Sequence, residues 1–308
     1  MNLLGFGFKH PTLSAFIPSK KDFQDCGGFV TEQEYIDGML TRTGLFMDRA
    51  ALDTVRNTTF AIAGLGGVGA ITAELLARWG VKKFRLLDMD RYEDSNLNRQ
   101  LFATSKTLGR TKVEVSAERI REINPYAEIE MTVIDMVTND NARPFVDGAG
   151  MVIQNADRPS AKLLYLAARD LKVPLVNGYA TVTGGRVQAF DYRNSPCESV
   201  IEKYWHKHKM QAMKPLTEMS VEEVKEFDQK FVHATAPSLN FVTNQVGCLI
   251  VAEAIKLLTG QGRSAQYPWF VEFDTFTCRM RRRHSLSPFE PGNVKRIKGL
   301  VEKVLKKS

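Results

Sequence analysis

Residues 60–69 read Phe60-Ala61-Ile62-Ala63-Gly64-Leu65-Gly66-Gly67-Val68-Gly69, a short apolar run that breaks into four glycines within six residues. An apolar run of this length reads as a buried strand, and the apolar, alanine-rich residues 70–79 that follow read as a helix. Strand, glycine turn and helix in that order form the start of a βαβ nucleotide-binding unit. Gly64 permits the tight turn, Gly66 lets the backbone approach phosphate, Gly67 lies on the loop between them, and Gly69 lets helix and strand pack closely. The unpaired N–H groups of the helix start attract an anion.

Working outward, Asp88 and Asp90 close a second apolar strand about 20 residues on, where a carboxylate can bond a ribose hydroxyl. Asp88 reads as the structural member of the two and Asp90 as the binding one. Strand and helix signals then alternate: a helix at 112–123, and strands at 129–133, 151–154, 175–176 and 187–190. The fold class expected is α/β, a Rossmann-like doubly wound and mainly parallel sheet. Residues 195–236 interrupt this rhythm with a charged segment, long enough to read as an insertion, lid or crossover element. A helix at 239–258 and a strand at 270–276 follow, the latter giving a C-terminal antiparallel extension. Before the first strand, Thr31 and Glu34 form a capping box that opens a helix. Residues 53–59 read as a polar approach to the strand, and residues 1–30 as an irregular arm. The divisions expected are thus 1–30, an adenylation-type domain over 31–278, and a basic tail over 279–308.

A glycine turn with a ribose carboxylate suits NAD as well as ATP. Attack at the α-phosphorus of a triphosphate asks for more: cationic groups and a metal to stabilise charge on the phosphoryl oxygens and the departing pyrophosphate. Candidates come soon after the acid, in Asn96-Leu97-Asn98-Arg99-Gln100 and in Gly109-Arg110-Thr111-Lys112. Lys112 reads as functional in this register and Arg110 as a solvated side chain.

The series Gly-x-Gly-Gly-x-Gly, Asp-x-Asp, Asn-x-x-Arg-Gln, Gly-Arg-x-Lys and Ile123-Asn124-Pro125 resembles the ThiF/MoeB/HesA superfamily of ubiquitin-activating-enzyme-like adenylyltransferases. The resemblance runs from about Arg42 to Phe190 and resumes at 247–260. It implies that Asp90 holds the ribose, that Asn96, Arg99 and Lys112 contact the phosphates beside Gln100, and that Asp157 is the Mg²⁺-associated carboxylate. Arg42, in Arg42-Thr43-Gly44, matches an arginine that relatives contribute across a dimer interface, which implies a homodimer. Asp157 also has a plainer reading, as a cap for the next helix.

The chain departs from that pattern in three places. Relatives with two CxxC pairs hold zinc, whereas here the residue three places after Cys197 is Val200, so no zinc is expected. Residues 198–247 contain no cysteine to carry a thioester, and Cys248, inside an apolar helical run, reads as core. The carboxylate that the family pairs with Asp157 appears here as neutral Gln154.

Length and charge bound the rest. The chain has 308 residues and a formal charge of +7, but residues 279–308 hold ten Lys/Arg against two Asp/Glu, leaving 32 basic and 33 acidic residues elsewhere. The excess belongs to the tail, whose 293–308 stretch is amphipathic and reads as packing on its own domain or a dimer mate. With the cluster at 279–284, it leaves an acidic carrier protein or tRNA open as a partner. His206, His208 and His233 read as surface residues. Four scattered cysteines fit a reducing cytoplasm, and no apolar run of about 18 residues suggests a membrane span.

The expected function is ATP- and Mg²⁺-dependent adenylation of a carboxylate. By the resemblance, that carboxylate is the C-terminus of a ubiquitin-like or sulfur-carrier protein, or of a small peptide. The alternatives are a tRNA-modifying dehydratase of the same superfamily, an NAD- or FAD-dependent oxidoreductase on the same turn, and an inert partner of an active subunit.

Overall fold

The computed structural model describes residues 31–157, 159–194, 214–230, 237–285, 287 and 294. The expectations for the N-terminal arm, Cys197, His206, His208, His233 and the tail helix lie outside these residues. Two helices come first, α1 (Glu32–Leu40) and α2 (Arg49–Asn57). The first half of the sheet follows: β1 (Thr59–Ala63), α3 (Gly67–Arg78), β2 (Lys83–Asp88), α4 (Lys112–Ile123) and β3 (Glu128–Val133). The second half is α5 (Asn139–Val146), β4 (Met151–Gln154), α6 (Lys162–Asp170), β5 (Leu175–Ala180), β6 (Gly184–Phe190), α7 (Val221–Lys230), α8 (Asn240–Thr259), β7 (Trp269–Asp274) and β8 (Arg279–His284).

The eight strands lie in the order β3-β2-β1-β4-β5-β6-β7-β8. Pairings from β3 across to β5 are parallel, and those from β5 to β8 are antiparallel. This is the mixed α/β sheet expected, with its antiparallel extension. Side chains of β1 alternate between two cores. Phe60 and Ile62 join α3, α4 and α8 on one face, while Ala61 and Ala63 join α5 and α6 on the other. Burial on both faces explains why β1 and β4 read as unbroken apolar runs. Strand order reverses between β1 and β4, which makes the turn after β1 the switch point where open α/β sheets bind ligands.

The structure departs from the sequence reading at several points. Residues 49–57, taken in part as a polar approach, form α2, with the Asp48 side chain accepting from Ala51 N at 2.8 Å and Ala51, Leu52 and Val55 turned inward. Its Ala51, Leu52 and Val55 recur at helical spacing among charged residues, so the amphipathic period is present in the sequence and the reading passed over it. The described part of the charged segment is no free lid: Leu216, Met219 and Phe227 pack into the second core beside Leu163 and Leu164. The sheet also continues past residue 278, because β8 pairs with β7 along six positions.

One described helix, α8, is long and apolar enough to cross a membrane, a feature the sequence reading passed over. Its Val242, Val246, Ile250 and Ala254 recur every four residues and are buried in the first core, as a core helix requires. Cys248 falls between Val246 and Ile250 and so points away from that stripe. It is exposed, not part of the core.

Candidate active site

The turn after β1 is stitched into the carboxyl ends of its neighbours. Gly64 N donates to Leu87 O at 2.8 Å on the β2 side, and Asn155 N donates to Ala63 O at 2.8 Å on the β4 side. Gly64 has φ +86°, and a Cβ there would fall 2.7 Å from the Asn155 carbonyl carbon. A Cβ on Gly69 would fall 1.8 Å from Gly64 O. Both positions exclude a side chain, and together they let α3 start directly against the end of β1. Gly66 differs, since a Cβ there would meet only the Gln100 amide, at 3.6 Å.

Asp88 and Asp90 are placed differently at the end of β2. The buried Asp88 carboxylate accepts from Leu65 N at 2.6 Å and from Asp90 N at 2.8 Å, lacing the glycine turn to the end of β2. Burial pushes the Asp88 carboxyl upward, against the pull of the Lys112 charge and of those two N–H donors. Asp90 keeps a side chain 55 % exposed and pairs with Lys112 Nζ at 2.7 Å. Lys112 opens α4 behind an N-cap, Thr111, whose hydroxyl accepts from Glu114 N. Its side chain is 6 % exposed, so the ammonium is held where the carboxylate end of β2 can use it. Arg110 turns away and pairs with Glu118, in keeping with a solvated role.

The loop at 93–100 shapes the other wall. Buried Asn96 accepts from Glu93 N at 3.3 Å and donates to Ser95 Oγ at 3.1 Å, so its amide holds the loop. Arg99, half-buried, donates to Ser95 O at 2.6 Å and to Asn98 Oδ1 at 3.1 Å. Gln100 packs over Gly66, and its Oε1 is buried without a partner. Asn155, on the β4 side of the turn, has both amide atoms in the same state. Orphaned acceptors and donors beside a glycine turn fit a polar ligand better than a closed core.

Two residues of this wall escaped the sequence reading. Thr243, from the first turn of α8, would stand 3.2 Å from a Cβ on Gly67. Its hydroxyl lies 3.5 Å from Arg99 O. Asn155 is the other. Thr243 is 144 positions from Arg99, and no local pattern signals the contact.

Asp157 is exposed and follows β4 by three residues, on the same end of the sheet. Gln154, in place of a second carboxylate, donates to Ala156 O at 2.9 Å and accepts from Asn177 Nδ2 at 3.0 Å. It braces the loop and leaves Asp157 as the acid there. No group of three or more acidic, His or Cys side chains forms a metal cage among the described residues. Mg²⁺ fits such a site, because it commonly takes one or two carboxylates and completes its shell with phosphate oxygens and water. Arg42 is not brought into this set. It sits exposed on the turn after α1, beside Leu45 and Phe46, which are 68 % and 81 % exposed.

A hollow of about 630 Å³ lies elsewhere, at the amino ends of the strands near Thr58, Gly150, Lys172 and Arg193. It has no glycine turn and no helix start, and ligands of open α/β sheets bind at the opposite end. The site is therefore assigned to the turn after β1.

The chain is similar to known proteins in sequence and in fold. Molybdopterin-synthase adenylyltransferase of Salmonella typhimurium is 28 % identical over 232 residues, covering 74 % of this chain and 84 % of that protein. The tRNA threonylcarbamoyladenosine dehydratase of Escherichia coli is 42 % identical over 139 residues, 44 % of this chain and 49 % of its own length. Among solved structures, E. coli MccB with AMPCPP and MccA superposes with a TM-score of 0.63 at 16 % identity, covering 87 % of this chain and 79 % of that one, a likeness of fold. The ThiF family profile matches residues 41–293, so the chain belongs to the ThiF family.

Proposed function

We propose that this protein, an ATP-dependent adenylyltransferase, activates the C-terminal carboxylate of a ubiquitin-like or sulfur-carrier protein, or of a small peptide. It does so with Mg²⁺, as a cytoplasmic homodimer. The observation that supports the reading is the unbroken chain Leu65–Asp88–Asp90–Lys112, which ties the glycine turn, an exposed carboxylate and a cation into one unit.

In the reaction a carboxylate oxygen attacks the α-phosphorus, the bond from that phosphorus to the bridging oxygen breaks, and pyrophosphate leaves. The nucleophile is ionised at neutral pH, so no side-chain base is required. The helix start of α3 and the turn hold phosphate, Asp90 takes the ribose, and Lys112 and Arg99 stabilise charge on the phosphoryl oxygens. A metal beside Asp157 supplies Lewis-acid stabilisation when bound. Exposed Leu45 and Phe46 beside Arg42 support a subunit contact that would bring Arg42 to a partner's site. The free cysteines Cys248 and Cys278 suit a reducing compartment.

The test is exchange of labelled pyrophosphate into ATP in the presence of carrier proteins and peptides with free C-termini. Exchange that disappears when the C-terminus is amidated supports the assignment; ATP binding without exchange for any such carboxylate contradicts it. The local likeness to a tRNA-modifying dehydratase favours one second reading, in which tRNA and not a carrier stimulates ATP turnover.

A further inference from the structure

The loop that bears Asp157 is clamped at both ends. At its start, Gln154 holds Ala156 O and is held in turn by Asn177. At its end, the turn Pro159–Ala161 is held by a residue from the distant charged segment. Asp228, on α7, is fully buried and directs both carboxylate oxygens to one residue. Oδ1 accepts from Ser160 N at 2.9 Å, and Oδ2 accepts a short hydrogen bond from the Ser160 hydroxyl.

A buried carboxylate is costly unless such donors satisfy it, and two bonds to a single residue fix it in place. The N-cap position of α6, Ala161, has no side-chain hydrogen bond, so Asp228 places an anion at a helix start that its own sequence leaves uncapped. The packing of Leu216, Met219 and Phe227 into the second core anchors α7 while it does so. Asp157 lies between the two clamps.

We propose that Asp228 is a positioning residue that sets the Asp157 carboxylate for Mg²⁺·ATP, coupling α7 to the nucleotide site. This rests on the reading of Asp157 as the Mg²⁺-associated acid. The test is calorimetric titration of the full-length protein with ATP, in Mg²⁺ and in EDTA. Asp157→Asn is expected to remove the gain in affinity that Mg²⁺ gives. Asp228→Ala should cut that gain about tenfold, leaving the EDTA affinity unchanged. Asp228→Asn, which retains an acceptor for Ser160 N, should restore most of it, and Ser160→Ala, which retains the backbone bond, should lose less.

An Asp157→Asn variant that loses the Mg²⁺ gain beside an Asp228→Ala variant that keeps it would overturn the positioning role alone. An Asp157→Asn variant that keeps the gain would overturn the metal assignment and the positioning role together. If Asp228→Ala does not fold, Ser160→Ala decides: a Mg²⁺ gain reduced about threefold supports the positioning role, and a wild-type gain overturns it.

Discussion

Gly69→Ala and Gly66→Ala separate the two ways in which the glycine turn can matter. At Gly69 a methyl would sit 1.8 Å from Gly64 O, where ordinary contact begins at 3.4 Å, so the end of β1 and the start of α3 must part by the difference, about 1.6 Å. Both surfaces are backbone, with no flexible side chain to give way. Overpacking of this kind costs about 3 kcal/mol, and the better helix propensity of Ala returns about 1 kcal/mol. The net loss is about 2 kcal/mol, or about 3 °C in Tm for a chain of 308 residues. At Gly66 the same methyl meets a side-chain amide at 3.6 Å, so folding should change little. Its cost falls on the ligand, because the methyl occupies the approach of backbone to phosphate, and ATP affinity should drop about tenfold or more. Scanning calorimetry and ATP titration of both variants give the answer. A Gly66→Ala protein that melts as low as Gly69→Ala, or a Gly69→Ala protein that melts like wild type, would refute the division of roles.

Lys112→Met keeps the side-chain length and removes the charge. Asp90 is exposed enough to be solvated alone, so stability should fall by less than about 1 kcal/mol, while pyrophosphate exchange should fall about 10²- to 10³-fold. Exchange within threefold of wild type would remove Lys112 from the phosphate-binding set. Glu74 ties α3 to α4: burial raises its carboxyl, but hydrogen bonds from Arg119 and Arg78 outweigh this and hold it below the usual carboxylate range. Its stabilisation is therefore complete at neutral pH and is lost as pH falls through the lowered folded-state value. Glu74→Gln should lower Tm at neutral pH and flatten the acid limb of a Tm-against-pH curve; an unchanged limb would show that the triad contributes nothing.

The nucleotide half of the fold was legible because its signals are local. An apolar run, four glycines and two acids fall within about one βαβ unit, and each constrains backbone that lies next to it in sequence. The same holds for Thr31 and Glu34, whose capping box forms as expected. What stayed hidden is tertiary. Thr243 and Asp228 reach their partners across 144 and 68 positions, so spacing carries no hint of either contact. Cys248 looked internal because helix α8 is apolar nearly all round, and only its packing decides which side faces out. β8 read as a basic cluster, since nothing in Arg279-Met280-Arg281-Arg282-Arg283-His284 alternates in hydrophobicity. It is held by its ladder to β7, by the pairing of Arg283 with Glu272 and by Arg282 stacked 4.3 Å over the Trp269 ring.

The central question for the site is whether the turn after β1 cradles a triphosphate or a nicotinamide dinucleotide. Titration of the purified protein with Mg²⁺·ATP and, separately, with NAD⁺, followed by calorimetry, addresses this directly. Saturable binding of ATP that Lys112→Met weakens at least tenfold, with NAD⁺ bound far more weakly, is the predicted result. NAD⁺ binding as tightly as ATP, or ATP binding indifferent to Lys112, would contradict it.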